Sequence, residues 1–224
     1  MYNNFMNEIG ILLILVVIFS LSLAAFRLGY TYLLVYGTFI NALSFTFGLM
    51  QTEVFGLALF VGTIIFGANF YITDLLEEYY GIKKARQYVW VLLGTQVGML
   101  AFGWYVTNFL FIGEGGTAVA TLNSLLAPWY PILAVTIISN FALQYFDTWL
   151  FALIKRKTGE SKLWLRNNLS TITTMTIDSF IVIPIAIKLG FPEIDNETLI
   201  ALMITSAGFK YTIALFDTPF MYLS

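Results

Sequence analysis

Residues 131–157 read PILAVTIISNFALQYFDTWLFALIKRK. Through residues 131–154 the one charged side chain is Asp147, and then Lys155, Arg156 and Lys157 follow without a break. A helix over residues 131–154 at ~1.5 Å per residue reaches about 36 Å, more than the ~30 Å of hydrocarbon in a bilayer. An apolar run of that length closed by a basic cluster reads as a transmembrane helix whose C-terminal end lies in the cytoplasm.

Working outward, six further apolar runs with the same character occupy residues 9–26, 28–50, 54–72, 88–112, 169–187 and 199–223. The composition agrees: 59% of the 224 residues are hydrophobic and 11% charged, against ~45–50% and ~25% in soluble domains, and the mean hydropathy is +0.82. At ~20 residues per crossing the chain holds about seven helices and no extramembrane domain. The expected fold is therefore all-α: a polytopic integral membrane protein, a bundle of about seven transmembrane helices in a single transmembrane domain over residues 1–224. Six crossings result if the first run is peripheral or re-entrant. That run lacks a basic n-region and a small-residue cleavage pattern, so it reads as a retained helix rather than a signal peptide.

Basic residues orient the bundle. Lys83, Lys84 and Arg86 follow the third run, and Lys155, Arg156, Lys157, Lys162 and Arg166 follow the fifth, whereas Glu114 follows the fourth and Glu193, Asp195 and Glu197 follow the sixth. By the positive-inside rule the two basic loops are cytoplasmic. Alternation then places Arg27 and the C-terminus inside and the N-terminus, Glu8 and Glu53 outside, with nine of the eleven basic residues cytoplasmic. The expected location is the cell (inner) membrane, multi-pass. Tyr88, Trp90, Trp129, Tyr130, Trp164 and Tyr222 fall where an interfacial aromatic belt would stand. Residues 113–126 read as an external loop with a short amphipathic piece.

The chain has no cysteine and no histidine. That removes disulfides, thiol nucleophiles, zinc-thiolate and iron-sulfur sites, Ser-His dyads and imidazole ligands. No metal or other cofactor is expected, and the chain is not expected to be an enzyme. Glu77 and Glu78 with a downstream arginine faintly suggest an intramembrane prenyl-protein protease, which needs histidines. No ATP-binding motif is present, so primary transport by this chain alone is excluded. A net charge of −2 gives no attraction to nucleic acid.

Four ionisable groups lie within apolar runs: Asp147, Asp178, Lys210 and Asp217. Each costs at least ~2.5–3.5 kcal/mol at mid-bilayer if isolated. Asn140, Gln144 and Asp147 share one helical stripe, Thr171, Thr174 and Asp178 repeat the spacing with Pro184 just beyond, and Lys210 and Asp217 are also seven apart. Three such stripes on consecutive helices can converge on one polar cavity. The plain alternative is that Lys210 merely neutralises an aspartate and the amides and hydroxyls glue helices together. On the third helix Asp74 and Glu78 stand one turn apart before Gly81, a helix terminator, and Lys83, Lys84 and Arg86. This reads either as an interfacial salt-bridge cluster or as a cytoplasmic gate built on Asp74, Glu78, Arg86 and Arg166.

Three stretches together resemble the YhhQ-type vitamin uptake transporter family. Asp74 through Glu78, Tyr80 and Gly81 to Ala85 and Arg86 is similar to its D-x-x-x-E-x-Y-G-x-x-x-A-R. Asp147, then Trp164, Arg166, Asn167 and Ser170, then Asp178, is similar to D…W-x-R-N-x-x-S…D. Lys210, Asp217-Thr218-Pro219 and Tyr222 resemble the terminal K…D-T-P…Y. The residues before Val54 carry no matching motif. The resemblance implies import of queuosine precursors, 7-deazaguanine bases such as the cyano form preQ0 and the aminomethyl form preQ1, for salvage in tRNA modification. One position departs: where the family commonly has glutamine, three residues before Asp178, this chain has Met175.

A guanine-like edge offers two adjacent donors that a carboxylate accepts together, and a carbonyl that an amide or ammonium meets. Asp147, Asp178 or Asp217 suits the first role and Gln144, Asn140 or Lys210 the second, with Trp149 or Tyr145 stacking on the ring. The expected partners are a nucleobase-like small molecule and the lipid bilayer, with no nucleic acid, and a homodimer is compatible with the sequence. The mechanism expected is that of a secondary carrier or facilitator, with proton coupling through Asp178 or Asp147 as one form. Two rivals remain: a seven-helix retinal protein with Lys210 as its Schiff base, and a substrate-binding subunit of a larger vitamin transporter.

Overall fold

The computed structural model describes residues 4–48, 50–108, 114–126, 130–159 and 161–224. Their helices are α1 (Asn4–Leu28), α2 (Tyr30–Phe47), α3 (Val61–Tyr80), α4 (Ile82–Asn108), α5 (Glu114–Leu126), α6 (Tyr130–Thr158), α7 (Leu163–Ile177), α8 (Ile183–Gly190) and α9 (Asn196–Leu223), with strands β1 (Gln51–Val54) and β2 (Leu57–Phe60) between α2 and α3. Among the described residues five stretches are individually long and apolar enough to cross a membrane: Glu8–Leu28, Ile82–Asn108, Tyr130–Thr158, Leu163–Gly190 and Asn196–Leu223. The chain is a multi-pass, all-α membrane protein. Large apolar side chains such as Leu13, Phe102, Ile138 and Leu215 point outward from the bundle, as a lipid-facing surface requires.

The centre of the bundle is α3. Every residue from Thr63 to Glu77 except Phe66 is buried, because α1, α2, α4, α6 and α9 all pack around it. A helix so enclosed meets protein rather than lipid, which is why it can carry Asp74, Glu77 and Glu78. On one flank Phe19 of α1 meets Tyr71 edge-on at 5.1 Å between ring centres and is covered by Phe216 and Phe220 of α9. The first apolar run is thus a full helix seated in the bundle.

Side-chain contacts sort the helix ends into two sets. At one end Arg27 Nη2 donates to Leu223 O at 3.0 Å, the Tyr79 and Ser224 hydroxyls are 2.8 Å apart, and Lys84 lies over the Tyr30 ring. We call this the basic end. At the other, the Phe55 N–H donates to Glu8 Oε1 at 3.2 Å, and the Thr107 and Tyr130 hydroxyls meet at 2.8 Å. This grouping matches the alternation of the apolar runs.

Three expectations change. The third helix was expected over residues 54–72, but 51–60 form an antiparallel hairpin and α3 begins at Val61. The two-residue turn puts Phe55 and Gly56 at φ 51 and 75, the conformation a tight hairpin needs, and a short apolar run does not distinguish strand from helix by its pattern. At its far end α3 runs on to Gly81, whose φ of 83 and N–H bond to Glu77 O close the helix. Tyr88 is not part of an interfacial belt. It is fully buried, its hydroxyl donates to Asn69 Oδ1 at 3.1 Å, and its ring occupies the space left by Gly37 of α2. Trp90, Trp164 and Tyr222 are exposed, while Trp129 lies outside the described residues. The sixth run, expected over 169–187, is helical from Leu163 to Gly190 but broken in register: residues 178–182 form a π-helical turn. There the Ile183 N–H reaches back five residues to Asp178 O. Pro184 has no N–H to continue the α ladder, and the wider turn absorbs that loss.

Candidate functional site

A cavity of about 160 Å³ lies where the ends of α2 and β2, the start of α3, α4, α6, the π turn with α8, and α9 meet. That is more than ten times the ~10–15 Å³ one water requires. Its walls are mainly apolar (Phe45, Phe60, Phe66, Ile132, Leu133, Val182, Ile187), and its polar groups include Asp178, Lys210, Asn140 and Gln96. Ser44, Gly48, Gly62 and Ala186 in the lining place it in the half of the bundle away from the basic end.

Lys210 Nζ donates to Asp178 Oδ2, and both side chains are at least nine-tenths buried. The ammonium is also 5.8 Å from the centre of the Phe66 ring, within cation–π range. Asp178 is the first residue of the π turn, so the register break aims its carboxylate between α6 and α9. On the opposite wall Gln96 Nε2 donates to Asn41 Oδ1 at 2.9 Å. With its nitrogen so held, the Gln96 carbonyl is the acceptor it can present. The floor depends on close backbone approach: a Cβ on Gly62 would stand 2.6 Å from Gly48 Cα and 3.0 Å from its carbonyl oxygen.

Next along the axis lies a packed polar layer. Thr73 Oγ1 donates to Gln144 Oε1 at 2.9 Å, Thr171 to Asp74 Oδ2 at 3.3 Å, Thr174 to Asp147 Oδ1 at 3.1 Å, and Asn167 Nδ2 to Asp217 Oδ1 at 2.8 Å. In this way α7 is bonded to α3, α6 and α9 in turn. Beyond it, the basic end is closed by Glu78. Arg166 grips that carboxylate with Nε at 2.9 Å and Nη2 at 2.6 Å, gives Nη1 to Gly159 O at 2.9 Å, and Lys155 Nζ adds a second cation at 3.1 Å. A two-pronged arginine–carboxylate pair of this geometry is both strong and directional.

The residues expected to share one site are therefore divided by depth. Asn140, Asp178 and Lys210 line the cavity, whereas Gln144, Asp147 and Asp217 are in the packed layer with Asp74. The stripes share a face, but seven residues of helix are ~10 Å long, enough to carry Asp147 and Asp217 out of the cavity. Glu78 and Arg166 meet at the basic end. Glu78 is bridged by Lys155 and Arg166 from α6 and α7, while Arg86 instead approaches Thr148 Oγ1 at 3.5 Å and lies over the Tyr145 ring. Trp149 stacks on Phe146 and is 49% exposed, so neither it nor Tyr145 is in the cavity lining; Phe45, Phe60 and Phe66 are the aromatic walls. Gln96 and Asn41 were missed because neither shares a helical stripe with a charged residue in its apolar run, the pattern that singled out Asn140.

The family model described as "Putative vitamin uptake transporter" matches residues 60–224. The chain belongs to the vitamin uptake transporter family. The match begins at the last residue of the hairpin and contains every polar group of the cavity except those of α2. It also sets the chain among transporters of small molecules, rather than enzymes or retinal proteins. A curated relative from Bacillus subtilis (strain 168), named "Probable queuosine precursor transporter", is 26% identical over 173 residues, 76% of this chain and 73% of the relative. No solved structure matches. In this vitamin uptake transporter the Met175 side chain is fully buried against Phe70 and Ala214, in a cluster that Phe66 packs against, and is not itself part of the cavity lining.

Proposed function

We propose that this transporter imports 7-deazaguanine bases, preQ0 and preQ1 among them, for queuosine salvage, as a secondary carrier or facilitator in the cell membrane. The observation that carries this reading is the Asp178–Lys210 pair at the wall of an apolar, phenylalanine-lined cavity. A guanine-type edge carries a carbonyl acceptor beside two donors, the complement of an ammonium beside a carboxylate. Exchanging the pair's mutual bond for bonds to the base leaves each ion hydrogen-bonded while the two opposite charges stay neighbours, as a buried pair requires. The Gln96 and Asn140 amides supply further polar contacts, and Phe45, Phe60 or Phe66 offers a face for the ring. The name of the Bacillus subtilis relative supports the same substrate class.

In this reading residues 1–224 are one transporter unit, the basic end is cytoplasmic, and the cavity lies toward the external side. The Glu78–Arg166–Lys155 bridge is then the cytoplasmic gate. The test is uptake of a labelled deazaguanine by cells that depend on external precursor. Asp178→Asn and Lys210→Ala, shown to be inserted and folded, are expected to abolish uptake. Normal transport by both would refute the assignment.

A further inference from the structure

The packed layer between cavity and basic end holds more acceptors than donors. Asp74, Asp147 and Asp217 are each essentially inaccessible, and each accepts one hydrogen bond from a neutral side chain: Thr171, Thr174 and Asn167 respectively. The Asp74 and Asp147 carboxyls are held by Thr171 and Thr174, hydroxyls three residues apart on one face of α7, so they stand at neighbouring levels of that helix. Among the described residues Asp74 Oδ1, Asp147 Oδ2 and both oxygens of Glu77 have no donor. An independent residue reports the same shortage: the Asn167 amide, wholly buried against Asp217, also leaves its Oδ1 without a donor. Buried acceptors are nearly always satisfied, and charges at membrane depth are paired or neutralised.

The surrounding charged and titratable groups do not fill the gap. On α3 they are Tyr71, Glu77 and Glu78, on α4 Tyr88 and Arg86, on α6 Lys155, on α7 Arg166, and on α9 Asp217. Lys155 and Arg166 are committed to Glu78, and Lys210 is bound to Asp178 on the cavity side. Tyr88 donates to Asn69. No group of three or more acids among the described residues is arranged to hold a metal ion. What neighbouring carboxylates with donorless oxygens lack is a hydrogen.

We propose that Asp74 and Asp147 form a proton-binding site whose occupancy couples substrate movement to the proton gradient. The proton enters from the cavity side past Gln144 and Thr73, bridges Asp74 Oδ1 and Asp147 Oδ2, and leaves toward the basic end, so one positive charge crosses and none is created. This places coupling one layer below the substrate pair, on Asp147 with Asp74 rather than on Asp178. The coupling role rests on the carrier reading above; the bound proton itself does not.

Two measurements separate those dependencies. In the full-length protein in lipid at neutral pH, infrared spectroscopy should show a protonated-carboxyl stretch that shifts in heavy water and is lost in both Asp74→Asn and Asp147→Asn. A band unchanged in either folded variant, or absent from the wild type, overturns the proton site whatever the substrate is. In sodium-free proteoliposomes a one-unit inward pH gradient should raise accumulation of labelled deazaguanine by up to about tenfold per proton. Both asparagine variants should keep exchange of labelled for unlabelled base and lose that response. Retention of the response in either variant, or stimulation by a sodium gradient alone, overturns the coupling role. If the wild type moves no deazaguanine, the substrate assignment fails and the infrared result still decides the proton site.

Discussion

Removing either partner of the Arg166–Glu78 pair should cost the fold unequal amounts. Arg166 is 1% exposed and carries its cationic guanidinium into packed protein. Glu78→Ala removes the two-pronged carboxylate from a buried guanidinium, a loss that costs about 3–5 kcal/mol for a buried pair. Arg166→Met leaves Glu78 with Lys155 at 3.1 Å on a side chain 27% exposed to solvent, so the remaining charge is still compensated and the loss should be nearer ~2 kcal/mol. The double variant Glu78→Ala, Arg166→Met removes both members of the pair and should be less destabilised than the sum, with a coupling of about 2–3 kcal/mol. For a chain of this size ~1 kcal/mol moves Tm by ~2–4 °C, so Glu78→Ala should melt roughly 6–20 °C early. The assay is thermal unfolding in detergent followed by fluorescence-detected size exclusion, since a chain without cysteine gives no thiol signal. Additive losses, or Arg166→Met falling as far as Glu78→Ala, would refute the reasoning.

Gly62→Ala should destabilise by about 1–3 kcal/mol, because its methyl meets backbone of Gly48 that cannot rotate away; Gly103→Ala, with open space around its Cβ, should leave melting unchanged or slightly improved. At the start of α9 the Thr198 N–H and hydroxyl both donate to Asp195, holding its carboxyl below the usual range. That lowered value makes the cap favourable above ~pH 4 and weakens it as pH falls through the folded-state value, so protection of the Thr198 amide should fall in that window in the wild type and not in Asp195→Asn. Cysteines introduced singly at Lys157 and Glu193, both exposed, should be labelled from opposite sides of the membrane, Lys157→Cys from the cytoplasm. Labelling of both from one side would overturn the orientation.

The apolar runs were legible because each is long enough to cross hydrocarbon, and the basic clusters gave their alternation. Depth was not legible. Asn140 and Asp147 share a stripe in projection, yet the first lines the cavity and the second sits in packed protein, and the distinction depends on where α3 and α7 cross α6. The hairpin at residues 51–60 was hidden for another reason: Val54, Leu57, Leu59 and Phe60 are as suitable for a buried strand as for a helix, and only the turn at Phe55–Gly56 decides. Lys155, read as an orienting charge, also holds Glu78, a pairing between helices that no local spacing encodes. Tyr88, expected at the interface, is drawn inward by Gly37 and Asn69, two residues far from it in the chain.

The enclosure of α3 has a consequence for how the protein is made. A segment with Asp74, Glu77 and Glu78 pays a partition penalty that its leucines and isoleucines do not offset well, since one aspartate near the centre costs ~2.5–3.5 kcal/mol and an apolar residue returns only ~0.3–0.6. It therefore enters the bilayer together with neighbours that hide its acids. The hairpin lies in the thirteen residues between α2 and α3, so the two helices reach the insertion machinery close together, and Asp74 and Glu78 acquire Thr171 and Arg166 as donors only when α7 emerges from the ribosome. Until then the nascent chain carries an unfinished core, and its lifetime in that state is set by translation of the intervening residues.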